Sequence, residues 1–288
     1  MISLGLRGSL SCRLSRILIH RDSSKWQALM AVFLTCVFSC SQAQTVLTLP
    51  TGKPQDARLS GFEFMGESTR ALQLDASQNP AMLFVREGEQ LWSAMIGSKR
   101  AACRDCHGDA NESMRGIASR YPAWDAAIRR PVSLSHRIKL CRSRYLGLDQ
   151  SQVESPATLA LEAYLAFQSK ADRITSVDDP NVFPWLENGH RLFEKRIGQI
   201  GLSCADCHVH RPGSRLGASV IPQAHPTAYP VYRLQWQSLG TLSRRIRGCF
   251  TGVRADLPEP DGELMVSLEL FLRQRAAGML HEGPGVRP

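Results

Sequence analysis

The pattern of apolar and polar positions divides the chain into a leader, a polar stretch and two halves of similar design. The apolar run Ala28 to Phe38 follows Arg13, Arg16, Arg21 and Lys25, and Ser41-Gln42-Ala43 offers small residues at a cleavable spacing. That order predicts an export signal over 1–43, its run of about 11 apolar residues being short for a membrane span. Acylation of Cys40 is the competing reading of the same stretch. Residues 44–75 are polar and open on the turn-rich Pro50-Thr51-Gly52-Lys53-Pro54-Gln55, which predicts an extended N-terminal arm wrapping a domain or a partner. Beyond it, apolar bulk recurs at helical spacing. Leu91 and Trp92 open one half and Leu192 and Phe193 the other; helices are expected again over Leu159 to Phe167 and Leu264 to Arg273. No strand-rich run and no Gly-rich phosphate loop interrupts this pattern, so the expected class is all-α.

The halves are an internal repeat. Cys103-Arg104-Asp105-Cys106-His107 returns 101 residues later as Cys204-Ala205-Asp206-Cys207-His208, with Gly88 and Gly189 ahead of them at the same distance. Tyr121-Pro122 returns as Tyr229-Pro230, and Leu134 to Cys141 as Leu242 to Cys249, now offset by 108, so the second half carries seven extra residues within Val209 to Pro226. The predicted organisation is a signal at 1–43, the arm at 44–75, and tandem units at 76–175 and 176–288, joined around Ser169 to Pro184.

C-x-x-C-H is the attachment sequence of c-type haem: two thiols one helical turn apart bond the porphyrin, and the adjacent His ligates its iron. Two copies predict two covalent haem c groups, on Cys103 and Cys106 with His107, and on Cys204 and Cys207 with His208. Zinc or redox-disulfide use of C-x-x-C is the weaker reading. Two cysteines then remain beyond the leader, Cys141 and Cys249, in matching places. Met114 and His136, or His210, His225 and Met265, could also supply a sixth ligand, but none of these recurs in both halves. Ligation of both irons by Cys141 and Cys249 competes with a disulfide between them and with two inert buried thiols. Thiolate ligation would favour ferric iron and leave no open site for peroxide, which speaks against a dihaem peroxidase.

The formal net charge is +9, of which the leader carries +4, and the remainder suits anions or an acidic partner rather than nucleic acid. Arg244, Arg245, Arg247 and Arg254 crowd Cys249. Cations there lower a thiol's pKa and can grip an oxyanion, and Arg245 and Arg247 are the candidates. A solvated basic face, or pairing with haem propionates, is the plainer reading. Arg137, Lys139, Arg142 and Arg144 surround Cys141, so basicity alone does not separate the sites. Gly248, where the first half has Leu140, suggests easier access to Cys249.

From about Gly61 onward the chain resembles the SoxA family, dihaem subunits of the SoxAX cytochromes of bacterial sulfur oxidation. The residues that carry the likeness are Cys103 to Ala110, Arg120-Tyr121-Pro122-Ala123, Ile221 to Pro226, Tyr229 to Arg233 and, most specifically, Arg245-Ile246-Arg247-Gly248-Cys249-Phe250-Thr251-Gly252-Val253-Arg254. The resemblance implies two cytochrome c-like domains, the second catalytic, and an L-cysteine S-thiosulfotransferase that joins thiosulfate to a cysteine of the carrier SoxYZ with release of two electrons. It also implies that Cys249 is axial ligand and catalytic residue, often persulfidated, that Arg245 binds substrate, and that a monohaem SoxX subunit passes electrons to a small periplasmic c-type carrier. A dihaem electron-transfer cytochrome without sulfur chemistry is the alternative.

Overall fold

A computed structural model describes residues 57–148 and 154–288. The expected leader, the start of the arm, and Cys12, Cys36 and Cys40 lie outside the described residues, which all fall within one compact unit. In chain order the helices are α1 (Glu67–Leu74), α2 (Ala81–Ser93), α3 (Cys103–His107), α4 (Ala110–Ser113), α5 (Leu134–Leu146), α6 (Pro156–Phe167), α7 (Phe183–Glu194), α8 (Cys204–His208), α9 (Leu242–Gly252) and α10 (Glu263–Arg275). Among them, no helix is long and apolar enough to cross a membrane.

Each half is built on one helix crossing. On α2, Ala81, Val85, Gly88 and Trp92 form a single buried stripe. It packs on α6, which is buried on nearly every side and starts cleanly because Ser155 caps it and Pro156 sits in its first turn. A Cβ on Gly88 would stand 2.1 Å from the Ala160 carbonyl oxygen, so the backbones touch and only glycine fits. The second half repeats this with α7 on α10, where a Cβ on Gly189 would stand 2.0 Å from the Ser267 carbonyl oxygen. Trp92 and Phe193 anchor the two apolar clusters, as their spacing predicts.

The all-α expectation needs one correction. Short strands occur: β1 (Ala123–Asp125) pairs with β2 (Arg130–Val132), β3 (Arg215–Leu216) with β4 (Ser219–Val220), and β5 (Val231–Arg233) lies between β6 (Ser238–Gly240) and β7 (Gly285–Arg287). Pieces of two or three residues are too short to show alternation in a sequence. β1–β2 and β5–β6 are equivalent across the repeat, with left-handed turn residues Arg129 and Gln237 in corresponding places. The seven-residue insertion is the β3–β4 hairpin.

The arm is not extended throughout. Ala57 to Gly66 runs across the second half, where the Leu59 backbone N–H donates to the Gln223 side chain at 2.7 Å. Glu67–Leu74 is helical, because Gln73 turns inward to accept from the Val286 backbone N–H at 3.0 Å. The expected connection at 169–184 is likewise zipped along the C-terminal segment. Ala171 N–H donates to the His281 carbonyl, His281 N–H to Asp172 and Ile174 N–H to Met279, each at 2.8 Å.

Between the halves lies a cavity of about 250 Å3. Residues that are equivalent in the repeat line it together: Tyr121 and Tyr229, Ser133 and Thr241, Ser135 and Ser243, Glu162 and Glu269. Trp124 packs on α7 and α10 and its equivalent Tyr232 on α2 and α6, so the halves exchange equivalent contacts, as a pair related by a two-fold axis would.

Candidate functional site

Both C-x-x-C-H sequences form single helical turns, α3 and α8, and the Asp inside each motif makes the turn close. The Ala102 backbone N–H donates to the Asp105 carboxylate at 2.8 Å, and Ser203 N–H to Asp206 at 3.0 Å. In α8 the Ser203 hydroxyl returns the bond, accepting from the Asp206 N–H at 3.0 Å, a reciprocal cap that Ala102 cannot make. Backbone bonding by Ser203 is the main reason Asp206 sits below the usual carboxylate range. The Asp shared by the two motifs is the sequence signal of this helix-starting role of Asp105 and Asp206.

The two unpaired cysteines stand by different motifs. Burial, reinforced by the neighbouring Cys141 thiol, pushes Cys103 up to about 11. Burial and the Cys249 thiol do the same to Cys204, also to about 11. Cys141 is raised by its own burial, against the pull of Arg137. Cys103, Cys106, Cys141, Cys204, Cys207 and Cys249 are all free, so no disulfide links Cys141 to Cys249. The other candidate ligands are otherwise employed. His225 holds the Leu59 carbonyl at 2.8 Å, Met265 is buried in the second apolar cluster, and His136 faces Asp261 at 3.8 Å. His210 stands 3.8 Å from Asp206, and Met114 packs in the first cluster.

The motif histidines differ. His107 is exposed, its ring centroid 5.7 Å from that of Trp92. His208 is largely enclosed, and its Nδ1–H donates to the Pro222 carbonyl at 2.7 Å, which leaves Nε2 as the acceptor nitrogen. Burial depresses the His208 pKa, a neutral imidazole being what a metal ligand requires. The inserted hairpin delivers this carbonyl, since Ile221 is paired to Gly213 and Ser214 at 2.8 and 2.9 Å.

The arginines near Cys249 also separate. On α9, Arg244 lies 4.3 Å above the Trp236 ring and faces Glu154 at 3.8 Å. Arg247 donates to the Pro258 carbonyl. The Arg245 side chain, one turn before Cys249 on the same helix, has no hydrogen bond or ion pair among the described residues, and its charge is felt by Tyr229, His208 and Arg233. The structure therefore groups Cys249 and Arg245 with the His208 motif, while Arg247 is held aside by a backbone carbonyl. Arg137 holds the place of Arg245 in the first half, and it is bound to the buried Asp125 at 2.6 Å.

A family model described as the SoxA/TsdA cytochrome c domain matches residues 87–174. The L-cysteine S-thiosulfotransferase subunit SoxA of Pseudaminobacter salicylatoxidans is 32% identical, with 83% of this chain and 84% of that one covered. The chain belongs to the SoxA family. The subunit SoxA of Allochromatium vinosum is 34% identical over 70% of this chain and 72% of its own. Among solved structures, that of SoxXA from P. pantotrophus has a TM-score of 0.77 and 29% identity, covering 80% of this chain and 87% of the matched one. The fold is accordingly a cytochrome c fold, which carries covalently bound c-type haem.

The donor set fits such a group. Each motif presents free thiols and an imidazole beside an apolar cluster, with one further cysteine nearby. Among the described residues no three His, Cys, Asp or Glu side chains converge to hold a bare metal ion, unlike a tetrahedral zinc site.

Proposed function

We infer that this chain joins thiosulfate to a cysteine thiol of a SoxYZ-type carrier, as the catalytic subunit of an L-cysteine S-thiosulfotransferase. It is read as two cytochrome c-like domains, 76–175 and 176–288, following a signal at 1–43 and an arm at 44–75, and as working in the periplasm. Each domain would bind one haem c, through Cys103, Cys106, His107 and Cys141, and through Cys204, Cys207, His208 and Cys249. Haem bound at these residues supplies acceptors for single electrons, and a SoxX-type monohaem subunit would carry them onward to a small c-type carrier.

The observation that carries this reading is the unpaired Arg245 one helical turn from Cys249. Arg245 would grip the sulfonate oxygens and set the outer sulfur of thiosulfate against the Cys249 thiolate. A sulfur–sulfur bond forms between them and two electrons leave. The carrier thiol then gives up its proton to solvent and attacks the outer sulfur. Carrier-S-thiosulfonate is formed and the Cys249 thiolate is released, so atoms and charge balance. Arg247, tied to the Pro258 carbonyl, would add positive potential without touching the anion.

The test is conjugation by the purified haem-loaded complex, read as the mass of thiosulfate added to the carrier cysteine. Formation of that adduct by the native protein and its loss in Cys249→Ala are expected. An adduct that forms equally well with Cys249→Ala would sink the assignment.

A further inference from the structure

The two halves place different charges at one equivalent position. Residue 125 in the first half corresponds to residue 233 in the second, each the third residue of its strand, β1 or β5. Asp125 reaches the arginine of the following helix, Arg137, at 2.6 Å, which shows that side chains at these two places meet. In the second half the same two places hold Arg233 and Arg245. An acid–base pair has become two cations.

We propose that Arg233 is a second anion-holding residue, which with Arg245 grips the two negative charges of thiosulfate beside Cys249. The proposal rests on the thiosulfate reading above and deepens it. Arg233 is buried at 7% exposure, and its guanidinium is aimed from one edge: Nε donates to the Pro288 carbonyl at 3.0 Å and one Nη to Gln235 at 3.4 Å. Trp236 lies under it at 5.1 Å. These contacts fix the fork and leave the other Nη free. No Asp or Glu side chain pairs with Arg233 or Arg245 among the described residues, and each lies within electrostatic reach of Tyr229. Burial first, and then the charge of Arg245, depress the Arg233 pKa, and part of that depression is the cost of holding two cations near one another. A bound dianion removes that cost and a monoanion removes only part, so the site favours doubly charged oxyanions of sulfur.

The experiment uses the haem-loaded complex with Arg233→Gln and Arg233→Lys, and varies thiosulfate at saturating carrier. Loss of one charge-assisted contact is expected to raise the thiosulfate KM by about ten-fold or more, with a smaller change in kcat, and lysine should recover most of the loss. Thiosulfate titrated by calorimetry into the resting protein without carrier should bind more weakly to Arg233→Gln by a similar factor. Because this second readout needs no turnover, native protein that binds thiosulfate but never conjugates it would count against the proposed function alone. A native KM and native thiosulfate binding in Arg233→Gln would overturn the role of Arg233. So would an unchanged KM with an altered haem spectrum, which would mark Arg233 as a partner of the haem carboxylates. Should Arg233→Gln fail to fold, the thiosulfate KM of Arg233→Met, which keeps an unbranched stem without the charge, decides in its place. A value within two-fold of native, combined with unchanged competition by sulfate, would then reject the proposal.

Discussion

The first half of the molecule quenches the arginine one turn before its unpaired cysteine, and the second leaves the equivalent arginine charged. Arg137 is tied to Asp125, whereas Arg245 has no acidic partner among the described residues and its charge is felt by Arg233. Burial alone would raise Asp125, yet bonds from the Ala127 and Ile128 N–H groups and the Arg137 charge hold it below the usual carboxylate range. The motif histidines follow the same division: His107 is exposed, while His208 is enclosed and held by Pro222. One framework thus carries an arginine paired with an acid in one half and an arginine left without one in the other. The difference lies in two side chains and one inserted hairpin, not in the helices.

The largest expected effect that tests this contrast comes from the cysteines. Cys249→Ala should lower the conjugation rate roughly a thousand-fold or more, the scale of losing a nucleophile, and Cys141→Ala should leave most of it. Comparable losses from both, measured as adduct formed per minute by mass spectrometry, would erase the distinction between the halves.

Next comes the shared framework. Gly88→Ala and Gly189→Ala each drive a Cβ into a carbonyl oxygen, and each should cost about 1–3 kcal/mol, seen as a melting temperature several degrees lower. The two losses should be similar. A drop in only one would show that the crossings are not equivalent.

A smaller effect concerns the cavity between the halves. Burial, then the neighbouring Glu154, pushes Glu162 up to about 8 from an ordinary 4.5, and burial with Glu162 beside it raises Glu269 well above its ordinary value. The folded chain keeps a proton on Glu162 that the unfolded chain gives up. Between about pH 4.5 and about 8 stability therefore falls as pH rises, by at most ~1.4 kcal/mol per unit from this group. Glu162→Gln should make that decline shallower in denaturant titrations across the interval, and an unchanged slope would count against the shift. Smallest of all, Ser203→Ala gives α8 the cap that α3 already has and should cost about 1 kcal/mol in thermal unfolding.

Much of this framework was legible in the sequence. The helix crossings, the two motifs and the extra residues of the second half follow from repeated spacing, because a backbone contact that admits only glycine must recur wherever the crossing does. The haem thiols, His107, His208, Cys141 and Cys249 stood out for the same reason. What stayed hidden depends on residues that differ between the halves. Asp125 and Arg233 hold equivalent places with opposite charge, so the repeat does not mark them as a pair, although Arg233 belongs to a stretch that resembles the family. The Pro222 carbonyl carries no side-chain signature at all. Arg247 looked equal to Arg245, since sequence spacing does not reveal which guanidinium a backbone carbonyl occupies.

The cavity lined by both Tyr121 and Tyr229 and by both Glu162 and Glu269 resembles a surface pressed against its own copy. A pair of identical chains meeting this way is bound by that symmetry: an arginine placed at one site appears at the other, and so does every acid that quenches it. Joining both copies into a single polypeptide lifts the constraint. Each position then varies alone, and one half is free to stay neutral while its twin acquires charge.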